Sequence, residues 1–516
     1  MAKILHTGRF LLPLSLFSVL MVPLDSMATV HYHWVQLQPG KQVGKQWLPN
    51  VSVRAIVAAQ DACPTLFDDA AKPLFTLTER AKKGTVASGT LFNQIKVCEK
   101  NIAADDKLLK EWHVGYLTSD KSSTPIRLPN LHEGGLPLSQ VVTSGCTGCR
   151  DDNSQYCANT PPAGGQVKST TLPWLLTAMN QVAAAGTANR LPPLWVHMGD
   201  MRYSGQKSAV ADSWESTSGK LGWKEEFFQP YAPLMQQSWS VILRGNHEGC
   251  FIKKSEWNNT DWADRAEGWL YFFGDGADSC QEVAVKDRDV LTPFAFDAVA
   301  FGGTVDKPVA SKQSARLVML DMVRTADGRD LDPKATEDLY KTQYNTVAKR
   351  WLHDLSKDEP AWFFQHIPAH EMTKKGKLDT DSHFYKALHN SDVKKELDKV
   401  AMIASAHLHQ FQVVQLDKKE PVQMIVGNGG VALSGTTGDR CAWQNKDDAV
   451  ALHSIHFGFM RIQLAVEGKE VTASYEVPLY QPKAGDLQNA WTMVCSGDKK
   501  APLRPVCKKV SAVPPC

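Results

Sequence analysis

Leu194-Trp195-Val196-His197-Met198 runs directly into Gly199-Asp200-Met201-Arg202-Tyr203, and this junction governs the reading of the whole chain. A short, mostly apolar run that stops at glycine and a carboxylate reads as a buried strand delivering side chains to the rim of a sheet. The pattern recurs three times. Trp239–Leu243 leads to Gly245-Asn246-His247-Glu248, Ala361–Phe364 to Gln365-His366, and Val400–Ser405 to Ala406-His407-Leu408-His409. In open α/β folds, sites are built at that carboxyl-end rim. Carboxylate, amide and imidazole together suit hard or borderline divalent and trivalent cations. The four junctions predict a metal centre, read here as binuclear.

The flanking regions set the address and the domain plan. Lys3 and Arg9 precede an apolar run from Phe10 to Leu24, and Ser26-Met27-Ala28 supplies small residues for cleavage, so residues 1–28 read as a signal peptide. The run is short for a bilayer span and holds Pro13 and Pro23. No later segment is long and apolar enough to span a membrane, so a secreted or periplasmic protein is expected. The 516 residues carry a net charge of +2, which becomes +1 without Lys3, Arg9 and Asp25. A near-neutral chain without a Lys/Arg run has no electrostatic footprint for nucleic acid. Oligomeric state cannot be read from the sequence.

Between Thr29 and Pro137, strand-like runs (Val51–Val57, Phe75–Leu77, Gln94–Cys98) and few helical patterns predict a small β-sandwich domain over 29–137, with turn-prone Leu128–Pro137 as linker. From Leu138 strands and helices alternate, predicting an α/β domain over 138–480. Its helices are Trp174–Ala185, opened by Pro173 and stopped by Gly186, and Thr336–Leu355, with Leu339, Val347, Trp351 and Leu355 on one face. Arg316–Leu320 and Val422–Val426 read as further strands, and Gly458–Val466 with Glu470–Pro478 as a closing hairpin. Residues 481–516 form a tail expected to be held by disulfides. With eleven cysteines, an oxidising compartment leaves one over. Pairing by proximity, with Cys146 set aside, gives Cys63–Cys98, Cys149–Cys157, Cys250–Cys280, Cys441–Cys495 and Cys507–Cys516, a connectivity that sequence alone does not determine.

The order Gly-Asp-x-x-Tyr, Gly-Asn-His-Glu, His, x-His-x-His resembles the calcineurin-like metallophosphoesterase superfamily. Tyr203, three residues after Asp200, is similar to the purple acid phosphatases, and Gly427-Asn428-Gly429-Gly430 after a strand to bacterial secreted members. The resemblance spans Val141 to Gly430 and implies a four-layer αββα sandwich. It further implies that Asp200 bridges two metals, Fe³⁺ with Zn²⁺, Mn²⁺ or Fe²⁺. Tyr203 and His409 would then ligate the first ion, and Asn246, His366 and His407 the second. His247 would protonate the leaving oxygen, a role suited to an imidazole titrating near working pH. Read without the resemblance, Asp200 is a helix cap, Tyr203 a packing residue, and each histidine a polar loop residue. The spacing of His407 and His409 points both to one side of an extended segment.

Two departures qualify the resemblance. Val141–Ser144 leads into Gly145-Cys146-Thr147-Gly148, so Cys146 stands where the family has a ligating Asp. A thiolate ligates zinc or iron but selects metals differently from a carboxylate. Alternatively Asp151 or Asp152 takes over by a register shift. Ala406 replaces a glycine, which is tolerable unless the backbone there needs positive φ. His370 reads equally as a contact to substrate phosphate or as an exposed loop residue, and Arg244, at a strand end, reads as solvated rather than as a substrate contact. The expected function is a secreted phosphomonoesterase that acts on a small phosphate ester with metal-bound hydroxide. The alternatives are a weakened, non-catalytic binding protein, or a phosphodiesterase or nucleotidase.

Overall fold

The computed structural model describes residues 29–82, 92–131, 134–148, 179, 191–203, 213–215, 221–249, 268–275, 291–303, 308–323, 333–356, 358–372, 378–416, 420–431, 433, 444–446, 449–454, 456–467, 470–483, 486–498 and 501–507. Strands Gln140–Ser144, Leu194–Met198 and Trp239–Leu243 lie parallel and side by side. Every residue in the three is buried. Strands covered on both faces have no solvent side, which explains why Leu194–Met198 and Trp239–Leu243 are mostly apolar rather than alternating.

These three form the middle of a twelve-stranded sheet. On one side Val30–Val43 pairs in parallel with Trp239–Leu243, Val35 lying opposite Trp239. It then turns through Gly44 and pairs antiparallel with Gln46–Ala58, which pairs with Ile95–Ile102. The strand-rich N-terminal region is therefore present, and its hydrogen bonding continues into this sheet. On the other side Met460–Glu467 lies antiparallel to Gln140–Ser144 and pairs with Glu470–Lys483, the closing hairpin expected from sequence.

A second, nine-stranded sheet has Pro308–Leu320, Ala361–Gln365, Val400–Ser405 and Val422–Val426 as parallel neighbours. Part of the segment read as a linker belongs to it. Leu136–Leu138 is an edge strand paired with Phe294–Gly303, a position where Pro137 loses no ladder bond.

Successive side chains along each strand go to different layers, and those two apart share one. Leu194, Val196 and Met198 join Leu317, Phe364 and Met402 in a core between the sheets. Trp195 points the other way, into an aromatic cluster with Phe227, Phe228 and Tyr231, the last on helix Gln229–Gln237. On the far side of the second sheet, Val318, Phe363 and Ile403 pack with Tyr340, Tyr344 and Val347. Those three lie on helix Pro333–Val347, which a π-helical turn, Ala348–Leu352, prolongs much as the sequence predicts. The layering is helix, sheet, sheet, helix.

The disulfides require one correction. Cys63–Cys98 forms as expected. Cys495 bonds Cys507, however, which overturns both Cys441–Cys495 and Cys507–Cys516. The cause is strand pairing. Asp486–Gly497 lies antiparallel to Pro505–Val506, and this brings the Cα atoms of Cys495 and Cys507 to 4.4 Å, near the short end of the bridging range. The proposed pairs Cys149–Cys157 and Cys250–Cys280, the leader 1–28, and helix Trp174–Ala185 apart from Met179 lie outside the described residues. Among the described residues no helix is long and apolar enough to cross a membrane.

Candidate metal centre

The loops that leave five parallel strands converge at one rim. Gly145-Cys146 follows Gln140–Ser144, Gly199-Asp200 follows Leu194–Met198, Asn246-His247 follows Trp239–Leu243, His366 follows Ala361–Gln365, and His407 follows Val400–Ser405. The chain turns sharply at each place. Gly199 has φ +86°, and a Cβ there would meet the Gly245 nitrogen at 2.3 Å, so glycine is required. A Cβ on Gly145 would lie 2.4 Å from that of Ala406. Ala406 itself is buried, and its φ is not among the positive ones, so a methyl group is tolerated where the family has glycine.

Three candidate ligands carry left-handed backbone: Cys146, Asp200 and His407 have φ of 52°, 58° and 62°. Such a conformation costs a non-glycine residue about 1–3 kcal/mol and persists only where the surroundings impose it, commonly at functional sites. The imposing bonds are visible. Thr147 and Gly148 donate to the Asp200 carbonyl, Cys146 donates to Gly199, and Val431 donates to Cys146.

Asp200 stands at the centre. Its Oδ2 accepts from the Tyr203 hydroxyl at 2.7 Å, lies 3.3 Å from His366 Nε2, and is 3.8 Å from Cys146 Sγ. Its Oδ1 accepts the backbone N–H of His247 at 3.0 Å. On one side the Tyr203 hydroxyl meets His409 Nε2 at 3.0 Å. On the other, Asn246 Oδ1 lies 2.9 Å from His366 Nε2 and 3.0 Å from His407 Nδ1. The donors thus divide into two groups that share the Asp200 carboxylate: Cys146, Tyr203 and His409, and Asn246, His366 and His407. Both groups approach the same oxygen, Oδ2, through Tyr203 and Cys146 on one side and His366 on the other, so the residues present would suit a metal pair about 3.5–4 Å apart that shares this carboxylate. His366 Nδ1 lies 2.7 Å from the Met198 carbonyl, which fixes a proton on that nitrogen and turns Nε2 toward the other donors. The ligand atoms of Cys146, Asp200 and His366 lie within 4.8 Å of one another.

The electrostatics agree with a site arranged for cations. Burial would raise the Asp200 pKa, but neighbouring His366, His247 and His407 outweigh it and hold the carboxyl well below its usual range. Burial would lower His366, yet Asp200 keeps it raised. Burial and then Asp200 push both the Cys146 thiol and the Tyr203 phenol well up, so ligation of a metal by either would have to displace a proton. Cys146 is buried and the free cysteine among the described residues, as the odd count anticipates. Asp151 and Asp152 lie outside the described residues.

The sequence reading assigns no role to several residues that shape the centre. Glu248 accepts backbone N–H bonds from Gly245, Asp200, Met201 and Arg202, at 2.8 to 3.3 Å, and ties two of the loops together. Burial and the charge of Asp200 push its carboxyl up to about 7, against the pull of those donors. Its place three residues after Gly245 is a capping signal that could have marked it. Arg244 is fully buried and bonds Asp321 through Nε at 3.1 Å, so its side chain is committed to the scaffold rather than to substrate. His370 is also fully buried, with Nε2 3.0 Å from His389 Nε2, which corrects its reading as a loop contact for substrate.

Residues 175–411 match the family model for calcineurin-like phosphoesterases. No curated protein sequence matches the chain. Among solved structures, the purple acid phosphatase PPD1 from yellow lupin (Lupinus luteus) seeds is 13% identical with a TM-score of 0.50, covering 94% of this chain and 78% of its own. GAP50, the anchor in the inner membrane complex of Plasmodium, is 12% identical with a TM-score of 0.34, covering 68% and 87%. The calcineurin-like phosphoesterase YfkN from Bacillus subtilis is 8% identical with a TM-score of 0.27, covering 69% and 89%.

Proposed function

We propose that this chain, which carries the calcineurin-like domain of the metallophosphoesterase superfamily, is a secreted, metal-dependent hydrolase of small phosphate monoesters. The observation that carries this reading is the gathering of six donor side chains, in two groups of three, around the single carboxylate of Asp200. A metal pair held there supplies Lewis acidity toward phosphoryl oxygens and lowers the pKa of a water molecule. The roles left to the chain follow from position. Asp200 would be shared between the two ions, Asn246 would offer its amide oxygen, and His366, His407 and His409 would offer ring nitrogens. His247, whose ring lies 4.2 Å from that of Tyr203, stands at the rim to donate a proton to the departing alkoxide. The leader-like 1–28 and the disulfides Cys63–Cys98 and Cys495–Cys507 support an oxidising, exported location.

The direct test is hydrolysis of p-nitrophenyl phosphate together with elemental analysis and a visible spectrum. Two metals per chain, turnover abolished by chelation, and a purple or pink ferric–tyrosinate band are expected. A colourless, active zinc or manganese protein would remove Tyr203 as a ferric ligand while keeping the phosphatase reading. An inert protein with fewer than two metals per chain would favour the weakened binding-protein reading, in which the thiol at Cys146 costs metal occupancy.

The second prediction concerns that thiol. Cys146→Asp restores the family's ligand type at a buried position 3.8 Å from Asp200. Metal affinity should rise by about tenfold or more, the scale on which ligand environment tunes such sites, and phosphatase activity should rise with it. Titration of the apo-protein with Zn²⁺ and Mn²⁺ measures the first quantity. If the Asp variant loses activity instead, the thiolate is an adapted ligand rather than a degraded one.

A further inference from the structure

Outside the Asp200 centre, His370, His389 and Glu420 come from three separate elements and meet in space. His370 lies on the loop leaving strand Ala361–Gln365, His389 ends helix His383–His389, and Glu420 precedes strand Val422–Val426. One ligand atom from each lies within 4.8 Å of the others. The two Nε2 atoms are 3.0 Å apart, and His389 Nε2 is 4.0 Å from Glu420 Oε2. We propose that these residues form a separate divalent-cation site, of the two-histidine, one-carboxylate type that suits zinc.

Three arguments carry it. First, a tetrahedral ion with bonds of about 2.0–2.1 Å needs ligand atoms about 3.3 Å apart, and both measured edges lie within 1 Å of that. Second, His370 is fully buried, and through Nε2 its ring meets, among the described residues, the Nε2 of His389, so two imidazole ligand atoms face one another. Third, the rings are held in place and are neutral. Tyr385 lies 4.1 Å from the His389 ring and 5.3 Å from that of His370. Burial, followed by the nearby His389, takes His370 down to about 3, and burial also lowers His389, so the lone pairs that bind a metal are available. The side chains of His389 and Glu420 are 14% and 21% exposed, which leaves the ion a way in.

An ion here would clamp the loop that carries His366. That loop already hangs on Gln423, whose Oε1 accepts from the Ala369 and His370 nitrogens at 3.1 and 3.3 Å. The consequence is structural, and it stands whether or not the Asp200 centre is catalytic.

Zn²⁺ titration against a chromophoric chelator, with thermal unfolding, tests the proposal on the full chain. With Asp200→Asn and His407→Ala disabling the other centre, about one equivalent should remain bound and should raise Tm. Adding His389→Ala should weaken that equivalent by about 100-fold or more and abolish the Tm shift. In the otherwise unaltered chain, His389→Ala should lower total zinc by one equivalent with phosphatase activity retained. Glu420→Gln, which keeps the shape of the side chain, should weaken binding in the same direction and covers the case in which the alanine variant does not fold. Equal zinc stoichiometry with and without His389, or no zinc retained in the Asp200→Asn, His407→Ala chain, overturns the site.

Discussion

Asp200→Asn is expected to remove hydrolysis almost completely, by at least about 10³-fold in kcat/KM, while the chain stays folded. The figure corresponds to several kcal/mol of charge stabilisation lost when two cations no longer share a carboxylate. Asparagine has the same shape and keeps an oxygen for the His247 N–H, now 3.0 Å from Oδ1, so the loops should hold. Its amide cannot bridge. One face of it presents hydrogens toward Tyr203 and His366, groups that the carboxylate oxygen now meets at 2.7 and 3.3 Å. Bound metal should fall below two equivalents, with little change in the unfolding midpoint of the apo-protein. An Asn variant with wild-type turnover and two metals would remove Asp200 from the centre.

His247→Ala should behave differently. The backbone nitrogen of His247 donates to Asp200, and alanine keeps that bond, so metal content should change little. The imidazole goes, and with it the proton for the leaving group, so kcat should fall by about 10²–10⁴-fold. The loss should be largest for alkyl esters and smallest for p-nitrophenyl phosphate, whose leaving oxygen needs little help. Equal losses across good and poor leaving groups would argue against the acid role. Removing the ring from its packing against Tyr203 should also lower stability slightly, by about 0.5–1.5 kcal/mol.

The legibility of this chain was uneven for physical reasons. The strands Leu194–Met198, Trp239–Leu243, Val400–Ser405 and Val422–Val426 are readable to the residue, because burial on both faces favours a mostly apolar run that ends where the polar rim begins. The long strand Val30–Val43 was missed. It carries His31, His33, Gln36 and Gln38 among its apolar residues, and nothing local tells that it pairs with Trp239–Leu243, some two hundred residues on. Leu136–Leu138 reads as linker because Gly134-Gly135 before it and Pro137 within it are turn-formers, and it becomes a strand only because an edge position in the second sheet accepts Pro137.

By itself the sequence determined which side chains could ligate a metal and that each stands at the end of a buried strand, since both follow from residue type and local periodicity. Tertiary structure alone decided how they are shared. It placed one carboxylate between two groups of donors and forced Cys146, Asp200 and His407 into left-handed backbone. It spent Arg244 on Asp321 rather than on substrate, and joined Cys495 to Cys507 across a strand pair. It also brought His370 to His389 and Glu420. These outcomes depend on which strands lie beside one another, and that order comes from packing two sheets around a common core, a property of the whole chain that no short window contains.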